Sequence, residues 1–401
     1  LMMRVNSKLK LKEERLEISS GKVRDVIVPI FVALGCLKDS ALTISNHLID
    51  SSLSGMESHG IMRCLQYAEQ IQSGYIKKTA KPKIYTSKRG AQIVDGGGFI
   101  GIPAMQMAYE KGSNQALEKG ISVIAVKNLG HTGRHGAYAE KAALDGFLTI
   151  CIGGGARKRW PQVAPHGGSK GRLPTNPWCI GIPGGEKGPV ILDFATSKIS
   201  GGWIYAAQSA EALLPEGCLI DKNGSLTRDP NEYFKGGAIL PAGGYKGYGL
   251  ALIGELIAEA VIGEVSGDAN WLIIFLNTKL YQEKNNLMVK AEEILSDIRN
   301  CPPADDFQKV EIPGEREREH FKSSNGKIEY ETISWTKKEF SELVNIGDVI
   351  YVKKINKNIY ELKQLPKANG GIVVMDPFTG RVLALSGGFS FKKSEFNRAS
   401  Q

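Results

Sequence analysis

Apolar residues recur at three- and four-residue spacing through residues 20–50, in the runs VRDVIVPIFVALG and DSALTISNHLIDSSL, and predict two helices. Asp39 stands where the second would take its N-cap. A third helical pattern runs from Gly101 to Lys119, with Ala104, Met107, Ala108 and Ala116 on a small apolar side. ISVIAVKN (121–128) is almost continuously apolar and predicts a buried strand. AYAEKAALDG then predicts a helix, and FLTICIGG a second buried strand. Further on, LALIGELIAEAVIG (250–263) predicts a helix closed by glycine, WLIIFLN (271–277) a strand, and KNNLMVKAEEILSDIRN a helix ended by Pro302 and Pro303. Strands and helices in this alternation make an α/β (α+β) core.

Two stretches break the pattern. Between Gly153 and Gly247, glycine and proline punctuate short segments such as PHGGSKGRLPTNP, IPGGEKGP, LPEG and LPAGGYKGYG, the texture of loops that hold binding groups. Past Gly314, a charged and polar stretch leads into short strand-like runs, GDVIYVKKI, NIYELKQL, GIVVMD and RVLALSGG. This β-rich tail continues nothing before it and places a boundary near residues 315–325.

Composition narrows the class. The chain has 401 residues, 42% of them hydrophobic and 23% charged, enough for two or three domains around a sizeable core. No window approaches the roughly 18 consecutive apolar residues of a membrane span. No apolar stretch follows the basic N-terminus to make a signal peptide, so the cytoplasm is the expected location. The six cysteines form no CxxC pair, which argues for reduced thiols and against a zinc ribbon; no metal is expected. The net charge of +9 is shared unevenly: residues 316–401 carry 15 basic against 10 acidic residues, leaving +4 for the first 315. Neither region has a dense basic run interleaved with aromatics, so nucleic acid is not an expected partner.

Four motifs carry candidate chemistry. AQIVDGGGFIG (91–101) sets Gly96, Gly98 and Gly101 at the spacing of a dinucleotide-binding loop, before a helix and a second strand. That second strand ends in Lys127 and Asn128, not the acid that would bind a ribose, and a tight turn explains the glycines as well. In SGMESHGIMRCLQYAEQ, His59 and Arg63 lie four apart and on a helix would share a face, with Tyr67 one turn on; Arg suits a small carboxylate and His a proton transfer. In KNLGHTGRHGAYAE, His131 directly follows a predicted buried strand, where catalytic groups of α/β proteins gather, whereas His135 reads as a surface residue at a helix start. The segments LPTNPWCIGIP, PVILDFATSKIS and LPAGGYKGYGL bring Thr175 and Asn176, the Asp193-to-Ser197 strand end, and Lys246 between glycines.

These motifs, with VAPHGG, LPEG, NWLIIF and IPGERE and in this order, resemble the malate/L-lactate dehydrogenase family that lacks a Rossmann fold, the sulfolactate dehydrogenase-like type, over about residues 15–317. The resemblance implies a mainly antiparallel NAD(P)-binding sheet with flanking helices, in a homodimer whose active site can draw on both subunits. It implies hydride transfer between NAD or NADP and a small 2-hydroxy/2-oxo acid, or reduction of a cyclic imino acid. Carried over residue by residue, it makes His131 the acid/base, with His59 beside it, and Arg63 the grip on the substrate carboxylate. Thr175 and Asn176 would line substrate and nicotinamide. Asp193, Ala195, Thr196, Ser197, Gly244, Lys246 and Gly314 would hold the cofactor. It also reassigns Gly96, Gly98 and Gly101 to a turn between strand and helix. The chain departs from the family pattern at Pro174, at Gly153–Gly155, in the basic GGARKRWPQ, and at Glu211 where glycine is common.

The tail, from GDVIYVKKI through KANGGIVVMDPFTGRVLALSGGFSFKKSEFNRASQ, resembles class A penicillin-binding proteins just before their catalytic serine, over about residues 325–401. No SxxK follows, so no transpeptidase activity is implied. The expected organisation is a dehydrogenase-like region 1–317, with a helical N-terminal segment (residues 1–85) and a core (residues 86–317), fused to a truncated fragment 318–401. The start at Leu1 fits a chimera or gene fragment. The alternative function is a cell-wall-related fragment or a non-functional fusion.

Overall fold

In the computed structural model the described residues are 18–325, with segments 327–328, 351–354, 359–363, 372–375 and 382–386; side chains are described from 18 through 321 except at Ser209. The chain divides into two units, Leu1–Phe321 and Lys322–Gln401.

The two N-terminal helical patterns form α1 (Ser20–Ala33) and α2 (Lys38–Leu53), followed by α3 (Arg63–Gln72). Ser19 caps α1, its side chain accepting from the Lys22 N–H. Asp39 is not a cap. Leu37 holds that position without a side-chain bond, and Asp39 lies in the first turn, where its charge meets the positive end of the helix dipole. The inner faces of the three helices bury Phe31, Ile44, Leu48, Tyr67 and Ile71 against Phe99, Ile100 and Ile102.

The central sheet begins with β1 (Lys83–Thr86), before the expected end of the helical segment, and β2 (Gln92–Phe99). Next come α4 (Ile102–Lys119), β3 (Ile121–Leu129), α5 (His135–Leu144), β4 (Phe147–Gly154), β5 (Trp178–Gly185), β6 (Gly188–Phe194) and α6 (Gly201–Ser209). In the loop-rich stretch, β7 (Leu219–Ile220), β8 (Leu226–Thr227), α7 (Asn231–Phe234) and β9 (Ala238–Ile239) build a small separate sheet ordered β8-β7-β9. α8 (Tyr245–Glu255) runs on into a π-helical segment, Leu256–Ile262, before β10 (Asn270–Asn277), α9 (Lys284–Arg299) and α10 (Glu315–Asn325). The helix expected from residue 250 thus starts five residues earlier, inside GGYKGYG.

Seven strands lie in the order β1-β2-β3-β10-β4-β5-β6. Every neighbouring pair is antiparallel except β2 and β3, which α4 connects as a βαβ unit. The mixed α/β sheet is therefore mainly antiparallel. Its core packs Met105, Ala108 and Tyr109 of α4 and Tyr138, Ala139 and Ala142 of α5 on Ile124, Val126, Cys151, Ile273 and Phe275. The small side of α4 is a packing requirement: a Cβ on Gly112 would stand 2.2 Å from the Phe275 ring.

The glycines of AQIVDGGGFIG are neither a phosphate loop nor a simple turn. β2 runs through Gly96–Gly98 to Phe99, and its ladder with β3 shifts register between Asp95 and Phe99, where Gly97 and Gly98 take φ of 66° and 77°. They form a bulge inside the strand. Gly101 then abuts the turn after β3, where a Cβ would meet the Gly130 carbonyl oxygen at 2.5 Å.

In the second unit, β11 (Lys327–Ile328) pairs parallel with β13 (Ile359–Lys363), β12 (Tyr351–Lys354) pairs antiparallel with β13, and β14 (Ile372–Met375) pairs antiparallel with β15 (Val382–Ser386). The likeness to penicillin-binding proteins falls mostly on residues outside those described. Among the described residues no helix is long and apolar enough to cross a membrane, and no cluster of His, Cys, Asp and Glu is placed to hold a metal.

Candidate functional site

His131 sits one residue beyond Gly130 in the turn that leaves β3. Its carbonyl accepts the Gly101 N–H at 2.9 Å, which ties the turn to the end of β2. Tyr67, fully buried on α3, places its hydroxyl 2.7 Å from His131 Nδ1, and the Gly133 N–H lies 3.3 Å from the same nitrogen. Nδ1 is therefore engaged, and Nε2 is the ring nitrogen left for a reacting group.

His59 and Arg63 do not share a helix. His59 ends a 3-10 turn, Glu57–His59, and Gly60 breaks the chain with extended backbone before Arg63 opens α3. Glycine is needed there because a Cβ would lie 2.2 Å from Ser52 Oγ. The break folds the pair back together: Arg63 Nε donates to the Ser58 carbonyl at 2.6 Å, and Ser58 Oγ lies 3.0 Å from His59 Nδ1. The His59 and His131 rings stand 5.4 Å apart, centre to centre. Arg63 also donates to Gln66 Oε1, and Gly202 at the start of α6 approaches its other nitrogen.

Burial, then the charge of Arg63, holds the His131 imidazole well below its ordinary value and drives that of His59 down to about 3. Burial also lowers Arg63 itself. The cluster is thus a low-dielectric pocket of neutral imidazoles beside the Arg63 cation, with Arg134 also acting on His59. His135 is not on the surface. It is buried, bonds Thr132 Oγ1 at 2.8 Å, and stacks 4.0 Å from Trp271, with its pKa pushed down to about 3 chiefly by burial.

The remaining expected residues gather around the 193–202 segment. Asp193 ends β6 and accepts the Gly136 N–H at 2.6 Å, capping α5; burial pushes its carboxyl up, against the pull of that bond. Ala195 directly follows that strand. Thr196 donates from both N–H and Oγ1 to the Thr175 carbonyl, at 3.0 and 2.9 Å, and Ser197 Oγ donates to Ile199. The Ala242 N–H donates to Thr196, and Gly247 lets α8 seat closely, since a Cβ would lie 2.6 Å from the Thr196 carbonyl. Gly244 (φ 62°) opens α8 without a side-chain cap, and Lys246 stands exposed in its first turn. Gly314 (φ 91°) packs on β6, the strand that carries Asp193: a Cβ there would be 3.1 Å from Ile191 Cβ.

Asn176 is fully buried with φ of 35°. Its Nδ2 donates to Glu255 Oε2 at 2.8 Å, and its Oδ1 has no hydrogen-bond partner among the described residues. Glu255 also accepts the N–H groups of Gly155 (2.7 Å) and Arg157 (3.0 Å), so one carboxylate anchors the basic GGARKRWPQ loop to the TNP turn. An acid inside the otherwise apolar run LALIGELIA was a signal for it. Asp268, which accepts from Tyr75 beside the His131 turn, carried no such signal.

A sequence profile described as malate/L-lactate dehydrogenase matches residues 18–337, past the boundary expected at 317. L-sulfolactate dehydrogenase of Methanocaldococcus jannaschii is 34% identical over 346 residues, covering 82% of this chain and 97% of that protein. Malate/(S)-sulfolactate dehydrogenase of Methanothermus fervidus is 30% identical over 353 residues, covering 84% and 98%. Among solved structures, sulfolactate dehydrogenase from M. jannaschii matches with a TM-score of 0.67 at 31% identity, over 76% of this chain and 90% of that one. Malate dehydrogenase from Entamoeba histolytica shares the fold at a TM-score of 0.72 and 23% identity, over 78% and 92%.

Proposed function

The chain belongs to the malate/L-lactate dehydrogenase family of hydroxyacid dehydrogenases, which use nicotinamide cofactors, and we propose that it interconverts a small 2-hydroxy acid and its 2-oxo acid with His131 as the acid/base. The observation that carries this reading is the Tyr67–His131 bond at 2.7 Å, which orients a buried imidazole with Nε2 free beside Arg63. Arg63 holds the substrate carboxylate by a charge-assisted pair. In the oxidative direction Nε2 takes the hydroxyl proton, in the tautomer whose hydrogen lies on Nδ1 and is donated to Tyr67 Oη; in that tautomer the longer Gly133 N–H contact at 3.3 Å no longer donates to Nδ1. In the reductive direction Nε2 returns it. Because the Arg63 charge helps hold His131 neutral, a carboxylate on Arg63 offsets that effect and makes the imidazole a better base as substrate arrives.

The cofactor is NAD or NADP, and the residues present suit it. Asn176 Oδ1 is a buried acceptor without a partner among the described residues, which fits a carboxamide N–H, and the uncapped start of α8 with Lys246 fits a phosphate. Thr175, Asn176, Asp193, Ala195, Thr196, Ser197, Gly244, Lys246 and Gly314 would hold it. When bound, a nicotinamide supplies or accepts the hydride at C2 of the acid. By the same family likeness the working form is a cytoplasmic homodimer. A spectrophotometric screen of 2-oxo acids and cyclic imines with NADH and NADPH tests the reading: oxidation of either cofactor by at least one 2-oxo acid supports it, and none across the panel overturns it.

A further inference from the structure

We propose that the 266–268 segment is the positioning element for His131, acting through Asp268; this rests on the reading of His131 as the acid/base. The segment precedes β10 and grips the exit of β3 just before the histidine. Ser266 Oγ bonds Asn128 Oδ1 at 3.1 Å, and the Asp268 N–H donates to the Leu129 carbonyl at 2.8 Å. Between them, Gly267 lies so close that a Cβ would stand 2.0 Å from the Leu129 carbonyl oxygen. Asn128 takes φ of 56°, a left-handed turn that its side chain stabilises by donating to Asp95 Oδ1 at 2.7 Å. The strand exit is thus bent sharply at Asn128 and clamped from outside at Leu129, two to three residues before the imidazole.

The Asp268 carboxyl completes the clamp. Burial raises its pKa above the usual carboxylate value, while Tyr75 Oη, which donates to it, the Trp160 indole, the Arg159 charge and the main-chain N–H of His131 act to favour the charged form. Tyr75 is held in turn by Arg159 Nη1, 2.9 Å from its hydroxyl, and the same nitrogen donates to the Gly267 carbonyl at 2.8 Å. A carboxylate at this depth, felt by Arg63, works against an anionic substrate. Its use here follows from its being acceptor-only: an amide has one acceptor oxygen and two donors of its own, and cannot serve all three N–H and O–H groups at once. Asp268 touches no reacting atom in this scheme; it sets the peptide that carries His131.

The test compares wild type, Asp268→Asn, Tyr75→Phe and the double variant as full chains, using L-malate or whichever 2-hydroxy acid the wild type turns over fastest. Asp268→Asn is expected to lower kcat about tenfold to hundredfold while KM stays level or falls, since Arg63 keeps its grip and the charge that opposes an anionic substrate is gone. Tyr75→Phe should cost less, and the double variant no more than Asp268→Asn alone, because both act through one carboxylate. Unchanged kcat, a raised KM at constant kcat, or additive losses would overturn the proposal. NMR of the histidine imidazoles gives a readout without turnover: Asp268→Asn should perturb the Tyr67-bonded His131 resonance, and an unmoved resonance contradicts the positioning role. Full turnover in His131→Ala would instead sink the reading of His131 itself.

Discussion

His131, Tyr67 and Arg63 make a site because each removes a freedom from the next. Tyr67 is immobilised by the core of α1–α3, it occupies Nδ1, and Arg63 is the charge that acts most on the imidazole. Since burial and Arg63 both hold His131 well below the usual 6.5, the free enzyme carries it neutral at physiological pH. Reduction of a 2-oxo acid needs the protonated form, so its kcat/KM should climb as pH falls through 6.5, with no plateau there; a plateau at or above 6.5 in a pH–rate profile would contradict the low value. Arg63→Lys keeps the charge and loses the planar fork, so kcat/KM should drop about tenfold to hundredfold, seen mainly as raised KM. Of these residues, His131 and Arg63 were legible from their neighbours in sequence. The buried environment of His135 was not, because Trp271, which covers it, comes from a strand 136 positions away (271 − 135). Glu211 takes φ of 50°, the left-handed conformation glycine adopts without strain.

At the scale of elements, the long periodic segments were readable: α1, α4, β3, β4, β10 and α9 all fall on patterns visible in the chain. What escaped was set by contacts between elements. The Gly60 break that separates His59 from Arg63 answers to Ser52 of α2, and the β2 bulge answers to its register with β3. The start of α8 inside GGYKGYG was hidden because glycine-rich sequence carries no helical period, and Gly247 is there to let the helix meet Thr196. Gly153 and Gly154 have a packing reason: a Cβ would meet the Trp271 ring at 2.2 Å and Asn176 Nδ2 at 2.7 Å, respectively. Gly101→Ala tests this level. Its Cβ would press on the Gly130 carbonyl and move the His131 turn, so urea unfolding should show a loss of about 1–3 kcal/mol together with lower kcat. Wild-type stability and turnover in that variant would refute the assigned contact.

For the molecule as a whole, strand order was the least legible feature, since β10 enters between β3 and β4 from more than a hundred residues downstream. The mainly antiparallel character came through family resemblance and not through any local pattern. Folding also buries several imidazoles, and this sets an acid limit. His47 and His135 are held to about 3 in the fold against 6.5 when free, so the unfolded chain binds more protons as pH drops below 6.5. That favours unfolding: stability is fully present above 6.5 and declines toward 3, by roughly 2 kcal/mol per imidazole between pH 6.5 and 5. Urea midpoints that stay constant over that interval would show these histidines to be protonated in the fold.

The central claim is that His131 carries the proton, and turnover of His131→Ala tests it most directly. With the 2-hydroxy acid and cofactor that the wild type uses best, the variant should lose at least about a hundredfold in kcat, the usual contribution of a general acid/base, with KM little changed. Turnover equal to wild type would contradict it.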